Sequence, residues 1–348
     1  EAIEPFETKK KGNNDDEKNV TTMDEVSEEK DISGSPCCGS SSTEAIEPFE
    51  TKKKGNNDDE KNVTTMDEDN VRQTVRERYA NIATGQGTSS ASNSEEQSET
   101  PKEQSNLMGY SKEDLQSIPK GSNLGLGSGN PVALASIQPG EVVVDLGSGA
   151  GVDCFLAAKR TGETGKVIGI DMTPQMIDKA RANAKQGGYP NVEFRLGEIE
   201  HMPVADNTAD LIISNCVINL SPDKTQVFRD AYRVLKPGGR LMVSDILLSN
   251  ELPEVVKQAL ETTVSCVSRA WLTEDYLGAI KAAGFEEVQV VDHTIIAPRT
   301  PPKELEEGKR IRTLIAYGRK IEIELTSEED EKLQKSIMAA HIKAIKSN

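Results

Sequence analysis

Two sets of residues in this sequence have types and spacing suited to chemistry. In the first, Asp145-Leu146-Gly147-Ser148-Gly149-Ala150-Gly151, an apolar run ends in an acidic residue and alternating glycines before a helical pattern begins. Glycines there let backbone N–H groups approach a ligand at the carboxyl edge of a parallel sheet. The loop alone suits a nicotinamide or an adenosyl cofactor. Its Gly-x-Gly-x-Gly spacing lacks the third-glycine position of the dinucleotide fingerprint, which favours the adenosyl one. Asp171, ending the next apolar run in Gly169-Ile170-Asp171-Met172, is placed for a ribose diol, with Met172 for the adenine face and Asp145 for an ammonium. The bland alternative is that these are turn residues of a Rossmann-like sheet.

The second set is the cysteines: Cys37, Cys38, Cys154, Cys216 and Cys266. Cys216 follows the apolar run 211–214 and so falls at the same carboxyl edge as the glycine loop. Their spacing is not that of a zinc site, and His201, His293 and His341 form no cluster with them. Free cysteine is often just a buried small hydrophobe, the reading preferred for Cys154 in Asp153-Cys154-Phe155-Leu156 and a standing alternative for Cys216 and Cys266.

These residues need a scaffold, and from Glu141 onward the pattern alternates strand, Gly-rich turn and helix, the signature of parallel strands joined by crossover helices. Strands are predicted at 142–146, 167–170, 192–196, 211–214, 240–243 and 287–291, with a helix at 224–235 before the turn Pro237-Gly238-Gly239. Residues 327–345 have helical spacing, yet 337–345 could instead close the sheet as an antiparallel edge. Upstream, a helix starting at Asp69 or Asn70 presents Val71, Val75, Tyr79 and Ile82 as one stripe, and Ser111 begins another helix. Residues 1–25 recur unchanged as 44–68, a polar repeat with no apolar face to stack. The expected fold class is α/β: a doubly wound Rossmann-like sheet with a disordered acidic N-terminal tail and a smaller C-terminal substrate-side region. The expected divisions are a tail over 1–106 carrying one short helix at about 70–83, a cofactor domain over 107–298 and an extension over 299–348.

Asn123-Leu124-Gly125-Leu126-Gly127, residues 144–158, Asp171-Met172-Thr173-Pro174, residues 196–203 and Ser214-Asn215-Cys216-Val217-Ile218-Asn219-Leu220-Ser221-Pro222-Asp223-Lys224 resemble the arsenite S-adenosylmethionine methyltransferases over roughly 107–298. The resemblance implies a methyltransferase domain with cofactor contacts at Gly147, Ser148, Gly149, Asp171, Met172, Glu198 and Ile199, and Asp145 and Asn215 are placed in the same set. It implies arsenic ligation by Cys216 and Cys266, methylation of arsenite or methylarsonous acid in arsenic detoxification, and a thiol reductant of glutathione or thioredoxin type. Thiolates suit soft trivalent arsenic. The sequence departs from the family at Gly127-Ser128-Gly129, where Gly-Cys-Gly is usual, and at 88–92, where a further cysteine is usual. Cys37 or Cys38, on a flexible tether, is a candidate third ligand, the alternative being a disordered bystander. With two thiols, a methylated trivalent arsenical is the expected preference.

The formal charge of −17 and pI near 4.8 argue against nucleic acid as a partner, because phosphate binding relies on Lys and Arg. No run is long and apolar enough for a membrane span, no secretory signal pattern is present, and the odd cysteine count does not fit a secreted disulfide scaffold, so a cytoplasmic setting and a monomer are expected. Two other functions remain open at this point: a methyltransferase acting on another small molecule such as a quinone or lipid-like acceptor, and a thiol-based arsenic-binding protein without turnover.

Overall fold

Neighbouring side chains of the first strand, Val143 and Val144, point into different cores, and this alternation sets the layering of the molecule. The computed structural model describes residues 67–86, 100–261, 263–296, 301–316 and 319–348. Most of the repeated segment, the Cys37–Cys38 pair and residues 88–92 lie outside these.

The main sheet runs β3 (Val192–Leu196), β2 (Lys166–Asp171), β1 (Val142–Leu146), β4 (Ala209–Asn215), β5 (Leu235–Leu248), β10 (Ile337–Lys346), β6 (Phe285–Ile295). The first five are parallel, and β10 pairs antiparallel with both β5 and β6. The strand order reverses between β1 and β4, which opens a crevice at their carboxyl ends. One face carries α4 (Pro131–Leu134), α5 (Val152–Thr161) and α6 (Pro174–Gly187), sealed by Val132, Phe155 and Ile177 against Val143, Val167 and Leu211. The other carries α7 (Lys224–Val234) and α9 (Thr273–Ala282), whose Phe228 and Tyr276 meet edge to face at 5.2 Å over Val144, Ile212 and Val243.

The predicted strands all form, with two corrections. Residues 337–346 are a strand, but not an edge: β10 lies inside the sheet and β6 forms its border. Its alternate residues Ala340, Ile342 and Ala344 are fully buried, whereas the helical spacing upstream is used by α10 (Ser327–Ser336), capped by Thr326 and Glu329. The turn Pro237-Gly238-Gly239 is absorbed into β5 as a bulge, since Leu235 pairs with Ala209 and Arg240 with Leu211.

A second, three-stranded sheet, β7 (Lys303–Glu304), β8 (Lys309–Ala316) and β9 (Arg319–Thr326), packs with α8 (Glu254–Leu260) and α10 against the far end of β5. The buried Arg312–Asp330 pair ties β8 to α10. At the other end of the described chain, α1 (Glu68–Thr84) begins a residue or two earlier than predicted, after Asp67, which makes no side-chain cap; Asp69 and Asn70 lie inside the helix. Its stripe buries Val71, Val75 and Ile82 as expected. The short helices α2 (Pro101–Leu107) and α3 (Lys112–Gln116) follow, the latter capped by Ser111. No helix among the described residues is long and apolar enough to cross a membrane.

If β10 is internal, Ile342→Ala, at a fully buried position, will cost about 2–5 kcal/mol in urea unfolding. Ile295→Ala on the border strand, where the side chain is 46% exposed, will cost much less; equal losses would place β10 at the edge after all.

Candidate active site

The chain leaves β1 through Gly147 and Gly149, both with left-handed backbone, and enters α5 after Gly151. A Cβ at Gly147 would come within 2.4 Å of Val217, so this glycine allows the loop to nest against the turn after β4. A Cβ at Gly149 would meet nothing within 4 Å, because that residue faces a cavity. The cavity has a volume of about 110 Å³, and Asp145, Gly147, Ser148, Gly149, Asp171, Met172, Ile199, Asn215 and Cys216 all line it.

Three carboxylates face this space from different elements. Asp171 ends β2 and accepts hydrogen bonds from Gly149 N (3.0 Å) and Thr173 N (2.8 Å). Asp145 accepts from Cys154 Sγ (3.1 Å), and Asp153 on α5 accepts from Tyr110 Oη (2.7 Å). Burial raises the pKa of all three. For Asp145 the increase is large and Asp153 adds to it by repulsion, while Asp153 itself is raised to about 6 against the hydrogen bonds of Tyr110 and Asn215. Buried carboxylates whose charged form is this poorly solvated suit a ligand that brings an ammonium and hydroxyl donors. The buried Ser148 Oγ, which has no hydrogen-bond partner, adds a further polar group on the same wall.

Two predicted cofactor residues do something else. Glu198 does not line the cavity; its neighbours Gly197, Ile199 and Glu200 do, and its carboxylate turns outward to Arg72 (3.7 Å) and Arg76 (3.4 Å) of α1. Asn215 lines the cavity but spends its amide within the protein. It accepts from Ser128 N (2.9 Å) and donates toward Gly129 O (2.8 Å), Tyr110 Oη (2.9 Å) and Asp153 (3.2 Å), fastening the 127–129 loop to the end of β4.

Cys216 comes directly after β4, with φ at 59°, a left-handed conformation that a residue with a Cβ seldom adopts. Its N–H still donates to Ser244 O (2.7 Å), so the chain keeps its pairing with β5 and then swings into the turn Ile218–Leu220. Asp245 holds that turn. Its buried carboxylate accepts from Asn219 N (3.2 Å), Asn219 Nδ2 (2.9 Å), Ile246 N (2.9 Å) and Tyr276 Oη (3.1 Å). Burial nevertheless raises its pKa to about 6.

Cys266 lies fifty residues further on, in a turn between α8 and α9 that Ser268 knots by bonding Thr263 O and Ser265. Its thiol donates to Cys216 O (3.3 Å). The Cys216 and Cys266 sulfurs and an Asp245 oxygen all lie within 4.8 Å of one another. The Cys216 thiol is pushed well up, first by its hydrogen bond with Cys266, then by burial and by repulsion from Cys266 and Asp245, with the Ser128 hydroxyl acting the other way. Lys224, buried beneath this cluster with its ammonium over the Trp271 ring (4.8 Å), is lowered to about 8 by burial and by Arg269. Tyr79 reaches in from α1, and burial followed by the charges of Cys266 and Cys216 holds its phenol well above 10.

Sequence reasoning missed Asp153, Asp245 and Lys224. For Asp245 a signal was present: a lone acid inside the apolar run 241–248. Cys154 is core, as expected, and His201 and His293 are exposed.

The two glycines predict different damage. Gly147→Ala must displace Val217 and will lower the melting temperature substantially. Gly149→Ala meets no neighbour and will cost only about 1–2 kcal/mol for its left-handed backbone. Equal thermal melts would contradict the packing described.

A methyltransferase domain model matches residues 137–307. An arsenite methyltransferase of Halobacterium salinarum is 47% identical over 230 residues, covering 64% of this chain and 59% of its own length. That of Mus musculus is 39% identical over 173 residues, covering 47% and 46%. Among solved structures, an arsenic(III) S-adenosylmethionine methyltransferase from Chlamydomonas reinhardtii superposes with a TM-score of 0.51 at 28% identity, over 72% of this chain and 75% of that one. The chain thus spans less than two thirds of the length of these curated relatives. Over its α/β part, then, the chain is similar to a methyltransferase domain and, among curated relatives, to arsenite methyltransferases.

Proposed function

We propose that this chain transfers methyl groups from S-adenosylmethionine to a trivalent arsenical, arsenite or methylarsonous acid, held by Cys216 and Cys266. The observation that supports it most is the meeting of two thiols from distant segments at the end of a cavity walled by buried carboxylates. A methyltransferase for an ordinary carbon or nitrogen acceptor has no need of that pair.

The carboxylates fit the cofactor: Asp145 and Asp153 face the space for its ammonium, Asp171 for its ribose hydroxyls, and Met172 and Ile199 supply apolar wall. When bound, the cofactor supplies an electrophilic methyl group on a sulfonium. Cys216 and Cys266 each replace one hydroxyl of the arsenical, the thiol proton leaving with that hydroxyl as water. Two thiolates leave the arsenic lone pair free, and thiolate is the ligand soft arsenic prefers. Asp245 and Asn219 hold the turn bearing Cys216, and the Ser268 knot holds Cys266, so the protein's main contribution is position. Methylation leaves arsenic two electrons short of the trivalent state, and closure of the two thiols into a disulfide supplies those electrons. Thiol–disulfide exchange with two glutathiones or with one thioredoxin-type dithiol then restores the pair, a cycle suited to a reducing compartment such as the cytoplasm.

Incubation with S-adenosylmethionine, a thiol reductant and either arsenical, followed by element-specific chromatography, will show methylated arsenic that falls at least about 100-fold in Cys216→Ser and in Cys266→Ser. Product persisting in both variants would move the reading to another methyl acceptor. Binding of arsenical without product would leave a thiol trap.

The raised carboxylates set a pH dependence. A cationic ligand favours their charged form, so S-adenosylhomocysteine affinity, read by calorimetry, will weaken as pH falls through about 6, where Asp153 takes up a proton. For the free protein the sign is opposite: a carboxyl raised from 3.8 to about 6 binds more protons folded than unfolded, so its contribution to stability declines as pH rises across that window. An affinity independent of pH from about 7.5 to about 5.5 would remove these carboxylates from the cofactor site.

A further inference from the structure

Ser128 occupies a position with more built around it than a surface loop needs. Asn215 pins its N–H at 2.9 Å and the next carbonyl, Gly129 O, at 2.8 Å, which fixes the loop against the end of β4, one residue before Cys216. The Ser128 hydroxyl oxygen is buried, with the Cys216 thiol as its neighbour. A buried hydroxyl held rigidly beside a thiol, with no other group to bond, is freed when that sulfur takes up a ligand and can then bond what the ligand brings.

The chemistry of trivalent arsenic supplies one. Arsenic carries three ligands and a lone pair, and the site provides two thiolates. With arsenite, As(OH)3 and two thiols give (CysS)2As–OH and two waters, so one hydroxyl stays on the metalloid. With methylarsonous acid, CH3As(OH)2 and two thiols give (CysS)2As–CH3 and two waters, and a methyl group stands where the hydroxyl was. A hydroxyl can exchange a hydrogen bond with Ser128 and a methyl cannot.

Resting on the two-thiol reading above, we propose that Ser128 is a specificity-determining residue of the arsenic site. Its hydroxyl hydrogen-bonds the one oxygen that arsenite retains, so that the site takes inorganic arsenite as a dithiolate hydroxide. The serine that deprives the site of a third soft ligand thereby gives it a means of recognising the unmethylated substrate. The preference for a methylated arsenical expected from counting thiols is offset to that extent.

Equilibrium dialysis of the full chain in reducing buffer, with arsenic counted by element-specific detection, tests this with arsenite and methylarsonous acid in parallel. Ser128→Ala will weaken arsenite binding by about tenfold, the worth of one hydrogen bond, while methylarsonous acid binds unchanged or more tightly. Ser128→Thr, which keeps the hydroxyl, will restore the wild-type ratio of the two affinities, and that ratio is insensitive to a general loosening of the loop. Equal weakening of both arsenicals in Ser128→Ala, or no change in either, overturns the proposal while leaving the two-thiol site standing. Failure of the wild type to bind either arsenical, or undiminished binding by Cys216→Ser, overturns the underlying reading and this proposal with it.

Discussion

The buried carboxylate of Asp245 is the interaction on which the geometry of the thiol site turns. A fully buried acid near the end of an interior strand is costly unless its lone pairs are satisfied. Here they are met from three directions: its own strand through Ile246, the turn after β4 through Asn219, and α9 through Tyr276. Satisfying one group therefore joins three elements. The turn it holds is the one that emerges from the strained backbone at Cys216, and the strain persists because Asp245 on one side and the Ser244 carbonyl on the other leave the chain no other path.

Asn215 performs the corresponding task on the opposite face of the sheet. Adjacent residues of a strand point to opposite sides, so Asn215 and Cys216 serve different layers. The first locks the 127–129 loop and α5 to β4; the second projects toward Cys266 and the smaller lobe. One strand end thus brings the carboxylate-lined cavity and the two thiols together without any long-range flexibility. α1 closes the arrangement, with Arg72 and Arg76 paired to acids beyond β3 and Tyr79 reaching toward both subsites.

The smaller lobe explains the location of Cys266. The end of β5, β9, β10, α8 and α10 form an apolar cluster against which both Cys216 and Cys266 pack. The turn carrying Cys266 is knotted by serine hydroxyls, and what places it is the packing of Val267, Ala270 and Leu272 with Val256 and Leu260 of α8.

By itself the sequence determined whatever depends on neighbours along the chain. Six of the main sheet's strands, the glycine loop, and the acids at the ends of β1 and β2 are all visible there, because period-two burial, turn chemistry and a strand-end acid are local properties. Only the tertiary structure decided the rest. Glu198 sits in the expected stretch, yet salt bridges to α1 draw it away from the cavity, and Asn215 is held by a loop almost ninety positions earlier in the chain. Residues 337–346 alternate as any border strand does, and only their pairing on both sides shows that they are internal. The two thiols are fifty residues apart, and neither carries a mark of its partner. They meet because β5, α8 and α9 fold the second segment back over the end of β4, and that proximity comes from packing across the core, which no local pattern of residues encodes.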